Sequence, residues 1–466
     1  MTVAKALDAP HDSPRIFGHP YRIATIGILL VVTLVAFEGM SVGVVMPAVS
    51  TDLNALNLYG VSFSAFLIAS LFANVVAGLW ADHRGYALPF LAGLVLFVLG
   101  MGLAGASHNA ELFLVARAVQ GLGAGPTIVA LYVMIARVYP ADVRPRIFAA
   151  LSAAWVVPAM VGPAVAGVVS DTWGWRWVFY GIIPLVVPAL IMLAPSLKRR
   201  ATDEETTPPQ GRRSRPLAMT VAASATAAGA GVLLYGVDNL HAQPLLALLG
   251  CAVGLATLLY GLIRLLPIGA LRFGRGLPTA VMMRGLFSAS FFGVNAFIPL
   301  ALQEVNSFGT TAAGIALTTG ALGWSAGSYL QSRRAAQPHA RIRTGAACVT
   351  VGIVLSVLAV VPGVTGWVAV PAWIIAGFGM GLGMTTVNIT ALHLSPVNEQ
   401  GANSASLSVT DMLGSALTLG IGGALVNVIG HSAVQIAWGF VVICALMAAI
   451  ALAATLLSFR VAPAAS

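Results

Sequence analysis

The chain has 466 residues, 58% of them hydrophobic and only 8% charged. A soluble globular protein carries roughly 25% charged residues, so this much apolar surface excludes a soluble fold and points to an all-α integral membrane protein. The net charge of +9 would suit nucleic acid, but the cations are sorted to one side of the expected spans, which is a signature of membrane topology.

Residues 1–22 are polar, hold Lys5, Arg15 and Arg22, and read as a cytoplasmic tail. Six apolar runs follow, at about 23–46, 61–80, 87–103, 112–135, 147–169 and 177–193, most of them long enough to cross a bilayer. The first is a full-length span with no small-residue cleavage pattern after it, so no cleavable signal is expected. Residues 195–216 then gather charges and prolines and read as a flexible cytoplasmic loop. Eight more runs come at about 217–236, 244–265, 277–302, 312–330, 345–361, 367–392, 405–426 and 434–457. The expected organisation is fourteen spans: a six-helix half over 23–194, two inserted spans over 217–265, a second six-helix half over 277–458, and a short cytoplasmic tail over 459–466.

The distribution of cations tests that count. With both ends inside, the inner segments hold twenty-one of the 24 Lys and Arg, the outer loops hold only Arg176, and Arg117 and Arg284 fall within spans. A wrong parity would place Arg264 to Arg275, or Arg333 to Arg343, outside, against the positive-inside rule. A faint internal repeat agrees: spans 1 and 9 share a Phe/Gly-rich stretch ending in Pro, and spans 2 and 10 both run into basic inner loops. Repeated halves are common in secondary transporters. Cys251, Cys348 and Cys444 all lie inside apolar runs and read as small apolar residues, not as a disulfide framework or a metal site.

Ionisable groups inside a membrane mark solute or ion paths. Glu38 lies about fifteen residues into span 1, roughly 22 Å at 1.5 Å per residue, too deep to reach either surface. Desolvation disfavours a charged carboxyl, so an acid there is a candidate proton carrier, or else a structural acid bonded to a neighbouring helix. Asp411 sits nearer the cytoplasm in span 13, beside Ser406, Ser408, Thr410 and Ser415, and either titrates or bonds those hydroxyls. Arg117 either snorkels outward or turns inward toward an acid. Arg284, a turn or two from the inner end of span 9, is expected to snorkel to the surface. Asn74, Trp155, Asn295, Met384 and Asn388, with Thr385, Thr386, Trp324 and Met380, are candidates for a substrate cavity or for interhelical bonds. Spans 7 and 8 carry no charge at mid-membrane and read as peripheral.

Four local patterns, in order along the chain, carry a resemblance. Gly78, Asp82, Arg84 and Gly85 close span 2; Arg117, Gln120 and Gly121 stand in span 4; Pro158, Gly162, Pro163 and Gly167 lie in span 5; and Trp175-Arg176-Trp177 opens span 6. On these residues the chain resembles the major facilitator superfamily, in particular its fourteen-span drug:proton antiporters. It departs from the family pattern at His83, Tyr86 and Ala87, where basic residues are usual, and at Pro158, where Gly is common. The resemblance implies a cytoplasmic latch at Asp82, with Arg84, Arg144 or Arg146 as partners. It also implies an inward-facing Arg117 that answers an acid. Span 5 is expected to be bent or tightly packed near Pro158 and Gly162-Pro163, since Pro removes a backbone bond and Gly allows close helix approach.

The expected function is proton-coupled export of small amphiphilic molecules by alternating access, in the cell membrane, by a monomer with both termini cytoplasmic. Protons and a small solute are the expected partners, lipid the surroundings, and nucleic acid is not expected. The proton gradient is the energy source, with no cofactor and no metal, since no nucleotide-binding motif is present. A specific metabolite exporter or a proton symporter of the same fold is the alternative. A membrane sensor or enzyme is a remote one: the eight histidines lie in tails, loops or span ends and form no catalytic constellation.

Overall fold

The computed structural model describes residues 16–19, 21–140, 142–198, 216–333, 337–396 and 399–462. Among these residues there are helices and no strands, as a bilayer requires: with no water in its core, backbone N–H and C=O groups must bond within the segment.

The first half holds α1 (Arg22–Asp52), α2 (Tyr59–Arg84), α3 (Ala87–Ala106), α4 (Ala110–Val138), α5 (Arg144–Trp173), and a sixth span in two pieces, α6 (Arg176–Tyr180) and α7 (Ile183–Lys198). The inserted hairpin is α8 (Pro216–Asp238) and α9 (Pro244–Leu265). The second half begins with another two-piece span, α10 (Leu277–Asn295) and α11 (Ile298–Asn306). It continues through α12 (Thr310–Arg333), α13 (Pro338–Ser356), α14 (Ala369–Leu394), α15 (Gln400–Ile429) and α16 (Ala433–Leu457). Thirteen segments are long and apolar enough to cross a membrane; α12 is the fourteenth by length and place. It tolerates more polar text because its glycines seat it between α5 and α14. The residues expected at 195–216 fall mostly outside the described residues, and so do most of the residues expected in the two tails.

Several helices run past the apolar segments that mark them. The α5 helix starts at Arg144, and α15 extends from Gln400 to Ile429. Their ends have local causes. Gly85, Gly174 and Gly430 stop α2, α5 and α15 with positive φ, a conformation glycine takes without strain. Asn109 caps α4 by accepting from the Leu112 N–H, and Ser432 with Gln435 forms a capping box on α16.

Two apolar cores divide the molecule. One is built from parts of α1, α3, α4, α5 and α7, around Phe90, Phe97, Leu131 and Ile147. The other joins the second half to the parts of the first near Asp52 and Tyr59, so that Val45, Met46, Tyr59 and Ala166 share a core with Phe297, Leu300 and Trp373. The halves therefore meet at the ends that carry Asp52 and Tyr59. The α8–α9 hairpin is zipped by Gly229, Gly236, Gly254 and Gly261, each too close to the facing helix to admit a side chain. It packs through α8 on α2 and α15. The outer side of α9, with Leu245, Leu246 and Ile263, faces away from the bundle, as a lipid-facing helix does.

Candidate functional site: paired charges between the halves

Helix α4 is held in place by its glycines. A side chain at Gly121 would meet the Phe66 carbonyl of α2 and stand 2.9 Å from the Ala69 Cβ; one at Gly125 would stand 2.8 Å from the Ser70 carbonyl oxygen; one at Gly123 would stand 2.6 Å from the Phe97 Cα of α3. This close approach fixes the rotation of α4 and turns Arg117 and Gln120 inward. Arg117 is 2% and Glu38 1% exposed. Arg117 Nη1 donates to Glu38 Oε1 and, at 2.7 Å, to Gln120 Oε1. Gln120 Nε2 reaches the same Glu38 oxygen at 3.4 Å. The guanidinium also lies over the Phe66 ring, 4.6 Å from its centroid, a cation–π contact. Of the two readings of Arg117, the inward one is therefore the one the structure adopts. Glu38 Oε2 and Arg117 Nε are buried with no hydrogen-bond partner.

A second pair lies in the other half. Arg284 does not snorkel to the surface, contrary to expectation: its Nη2 donates to Asp411 Oδ2 at 2.7 Å and its Nη1 to Asn388 Oδ1. Ser288, one turn further along α10, donates to Asp411 Oδ1. Asp411 thus bonds none of the hydroxyls flanking it on α15; Ser406 and Thr410 instead donate to Leu265 and Val281 carbonyls. The side chains of Arg284 and Asp411 are 22% and 25% exposed. The signal in the sequence was depth: an acid and a base of opposite sign at similar distances from the inner ends of two spans. Ser288 and Phe66 carried no such signal.

The other candidates are distributed as follows. Asn74 Nδ2 contacts Met412 Sδ at 3.1 Å across the two halves. Asn295 accepts from the Trp373 indole at 3.0 Å and so anchors a ring that stacks on Phe291 at 4.7 Å. Met384 is buried and Trp155 half-buried in the first half's core. Helix α5 runs unbroken through Pro158 and Pro163. Its tight contact is not at Gly162, where an added Cβ would find ordinary spacing, 3.5 Å or more, to Phe37, Ser41 and Met40. It is at Gly167, where a Cβ would stand 2.6 Å from the Thr311 Cα, and opposite Gly314, where one would stand 2.8 Å from the Pro163 carbonyl carbon. Nearby, Asp171 accepts from the Thr311 N–H and hydroxyl at 2.9 and 2.6 Å.

Apart from the Asn74–Met412 contact, the hydrogen bonds and close glycine contacts across the seam among the described residues gather toward one side. Tyr59 donates to the Ala296 carbonyl at 2.7 Å, in the break between α10 and α11, and Ser64 donates to the Ala416 carbonyl at 2.7 Å. Gly60 and Gly423 pack backbone to backbone, and Gln303 donates to the Val44 carbonyl at 3.3 Å. All lie on the side of Asp52, Tyr59 and Asp171. At the opposite ends Gly78 has nothing within 4 Å of an added Cβ. Asp82 and Arg84 are exposed, and the charges acting on Asp82 are those of His83 and Arg137. The expected partner Arg144 is turned to the Tyr139 and Ala136 carbonyls. The latch expected at Asp82 is thus not engaged here, and Gly85 serves as the stop of α2. Among the described residues no cluster of His, Cys, Asp or Glu could hold a metal ion.

Two helical halves with membrane-length spans, one holding a buried ion pair and the other a partly exposed one, define a multi-pass membrane fold. The model of the Major Facilitator Superfamily matches residues 28–418, and the chain belongs to that family of transporters. Solved structures agree on the fold: a POT family transporter in complex with 5-aminolevulinic acid has a TM-score of 0.67 at 12% identity, covering 96% of this chain and 98% of its own. The nucleoside transporter NupG has a TM-score of 0.63 at 12% identity, covering 93% and 99%. Among curated relatives, the multidrug efflux pump SdrM of Staphylococcus aureus (strain N315) is 28% identical over 171 residues, 37% of this chain and 38% of that protein. The multidrug transporter protein MdtP of Bacillus subtilis (strain 168) is 27% identical over 174 residues, 37% and 32% of the two chains. The chain thus matches about a third of the length of these relatives.

Proposed function

We propose that the protein is a proton-coupled exporter of small amphiphilic molecules in the cell membrane, with both termini cytoplasmic, working by alternating access. The observation that carries this reading is the buried knot of Glu38, Arg117 and Gln120. Glu38 Oε1 holds Arg117, while Oε2 is buried without a partner. A proton taken up on Oε2 turns the carboxylate into a neutral acid and removes the Coulombic part of its hold on Arg117. Arg117 keeps its bond to Gln120, so it stays in place while α1 is released from α4. On this reading, the contacts gathered on the side of Asp52 and Tyr59 are the closed outer ends of an inward-open form, and the Gly78–Asp82 end is the latch released. Export as the direction draws on the efflux relatives and on the span 5 motif.

The test is transport in proteoliposomes under an imposed pH gradient, with substrate binding measured separately. Glu38→Gln keeps size and some hydrogen bonding but cannot ionise. It should abolish uphill transport while leaving binding and downhill exchange measurable. If the variant still concentrates substrate at the wild-type level, Glu38 is structural and the coupling lies elsewhere.

A further inference from the structure

The acids of this protein are placed so that none offers a free negative charge deep in the bundle. Among the described residues, only Glu38 and Asp411 lie deep within a spanning helix; every other described acid sits in a loop or in the first or last turn of a helix. Each of the two deep acids already has an arginine on it, Arg117 on Glu38 and Arg284 on Asp411. The first pair is sealed, at 3% and 1% exposure, whereas the second keeps 22% and 25%. The Asp411 pair is therefore the more open of the two.

The spare hydrogen-bonding capacity of that pair is unequal. Both Asp411 oxygens are engaged, Oδ1 by Ser288 and Oδ2 by Arg284. Arg284 spends one N–H of Nη2 on Asp411 and one of Nη1 on Asn388, which leaves a second N–H on each, while its Nε is buried without a partner. A guanidinium has further N–H donors and no acceptor. What is left over is donor capacity with positive charge behind it.

We propose that Arg284 acts as a tethered cation on Asp411, so that the cavity selects neutral or anionic amphiphiles bearing acceptor groups and rejects permanent lipophilic cations. The inference rests on the transporter reading above and names the substrate class of that site. A cation arriving at Asp411 has to displace a guanidinium attached to the neighbouring helix, which returns at high effective concentration. It would also leave Arg284 without its counter-charge in a mostly apolar setting, a cost that works as discrimination. A sulfonate or carboxylate pays neither penalty, because it accepts from the unused donors of Arg284 while the pair with Asp411 stays intact.

The experiment uses purified full-length protein and a panel of matched aryl compounds, each carried once with a sulfonate and once with a trimethylammonium group. Binding is measured by titration without a gradient. The wild type should favour the sulfonates by at least tenfold, and Arg284→Gln, which uncovers Asp411, should reverse the order. Should Arg284→Gln not assemble, Asp411→Asn carries the test: it leaves Arg284 without its counter-charge and should tighten sulfonate binding several-fold. Cations bound as tightly as their sulfonate twins, or preferences unchanged in the variants, overturn the inference and make the pair a packing device. Loss of pH-driven accumulation with the binding preference intact removes the coupled-export reading and leaves the charge selection standing.

Discussion

Glycines between the halves and glycines within a half should respond differently to the same substitution. At Gly60, an added Cβ would stand 2.6 Å from the Gly423 Cα, in the opposite half. Carbon atoms prefer roughly 3.5–4.0 Å, so Gly60→Ala has to push α2 and α15 apart by about 1 Å. Overpacking of this kind costs roughly 1–3 kcal/mol. The cost falls only on the form in which the outer ends are closed, so it should shift the balance between inward- and outward-open forms by about five- to 150-fold. At Gly121 the obstacle is α2 of the same half, with the Ala69 Cβ at 2.9 Å; that contact persists in both forms, and Gly121→Ala should lower overall stability instead. Two assays separate these outcomes: thermal unfolding in detergent, and labelling of a cysteine placed at the outer seam by a membrane-impermeant reagent. Gly60→Ala should raise outer labelling with little loss of melting temperature, and Gly121→Ala should do the reverse. If Gly60→Ala melts early with no gain in labelling, the outer seam is a permanent part of the fold and the alternating-access reading fails.

Other outcomes follow from the same geometry. Gly162→Ala should leave transport and folding near wild type, because its surroundings leave room, whereas Gly167→Ala should raise outer labelling as Gly60→Ala does; equal effects at both would refute the placement of the tight contact on α5. Arg176 pairs with Asp52 at 2.8 Å with both side chains more than a third exposed, so Arg176→Ala should cost under about 1 kcal/mol of stability, read as a small shift in unfolding temperature. Reporter fusions after Arg200 and Arg275 should both report the cytoplasm; an outside signal at either breaks the fourteen-span topology in that half.

Much of the architecture was legible in the sequence because a bilayer imposes few choices. An apolar run of sufficient length has to be a helix, and the sorting of cations orients it. By those two constraints composition and Arg placement predict the spans and their order, while the separation into two halves with an inserted pair was read from the faint repeat and the family resemblance. The burial of Glu38 was readable in the same way, since its depth left no route to either surface. Partnership was not. Arg284 read as a snorkelling cation because a single span shows only the distance to its own end; that Asp411 waits at the same depth on α15 depends on how α10 and α15 pack. Gly162 and Gly167 look alike in the chain, and only the crossing of α5 over α12 decides which of them touches the facing backbone. The same holds for Asn295, a cavity candidate by type, which in the folded bundle is turned to the Trp373 indole. Hydropathy is a property of one helix against lipid and survives in the sequence; ion pairs, close glycine contacts and the outer closure of the halves are properties of two helices at once, set by rotations and offsets that the packing alone determines.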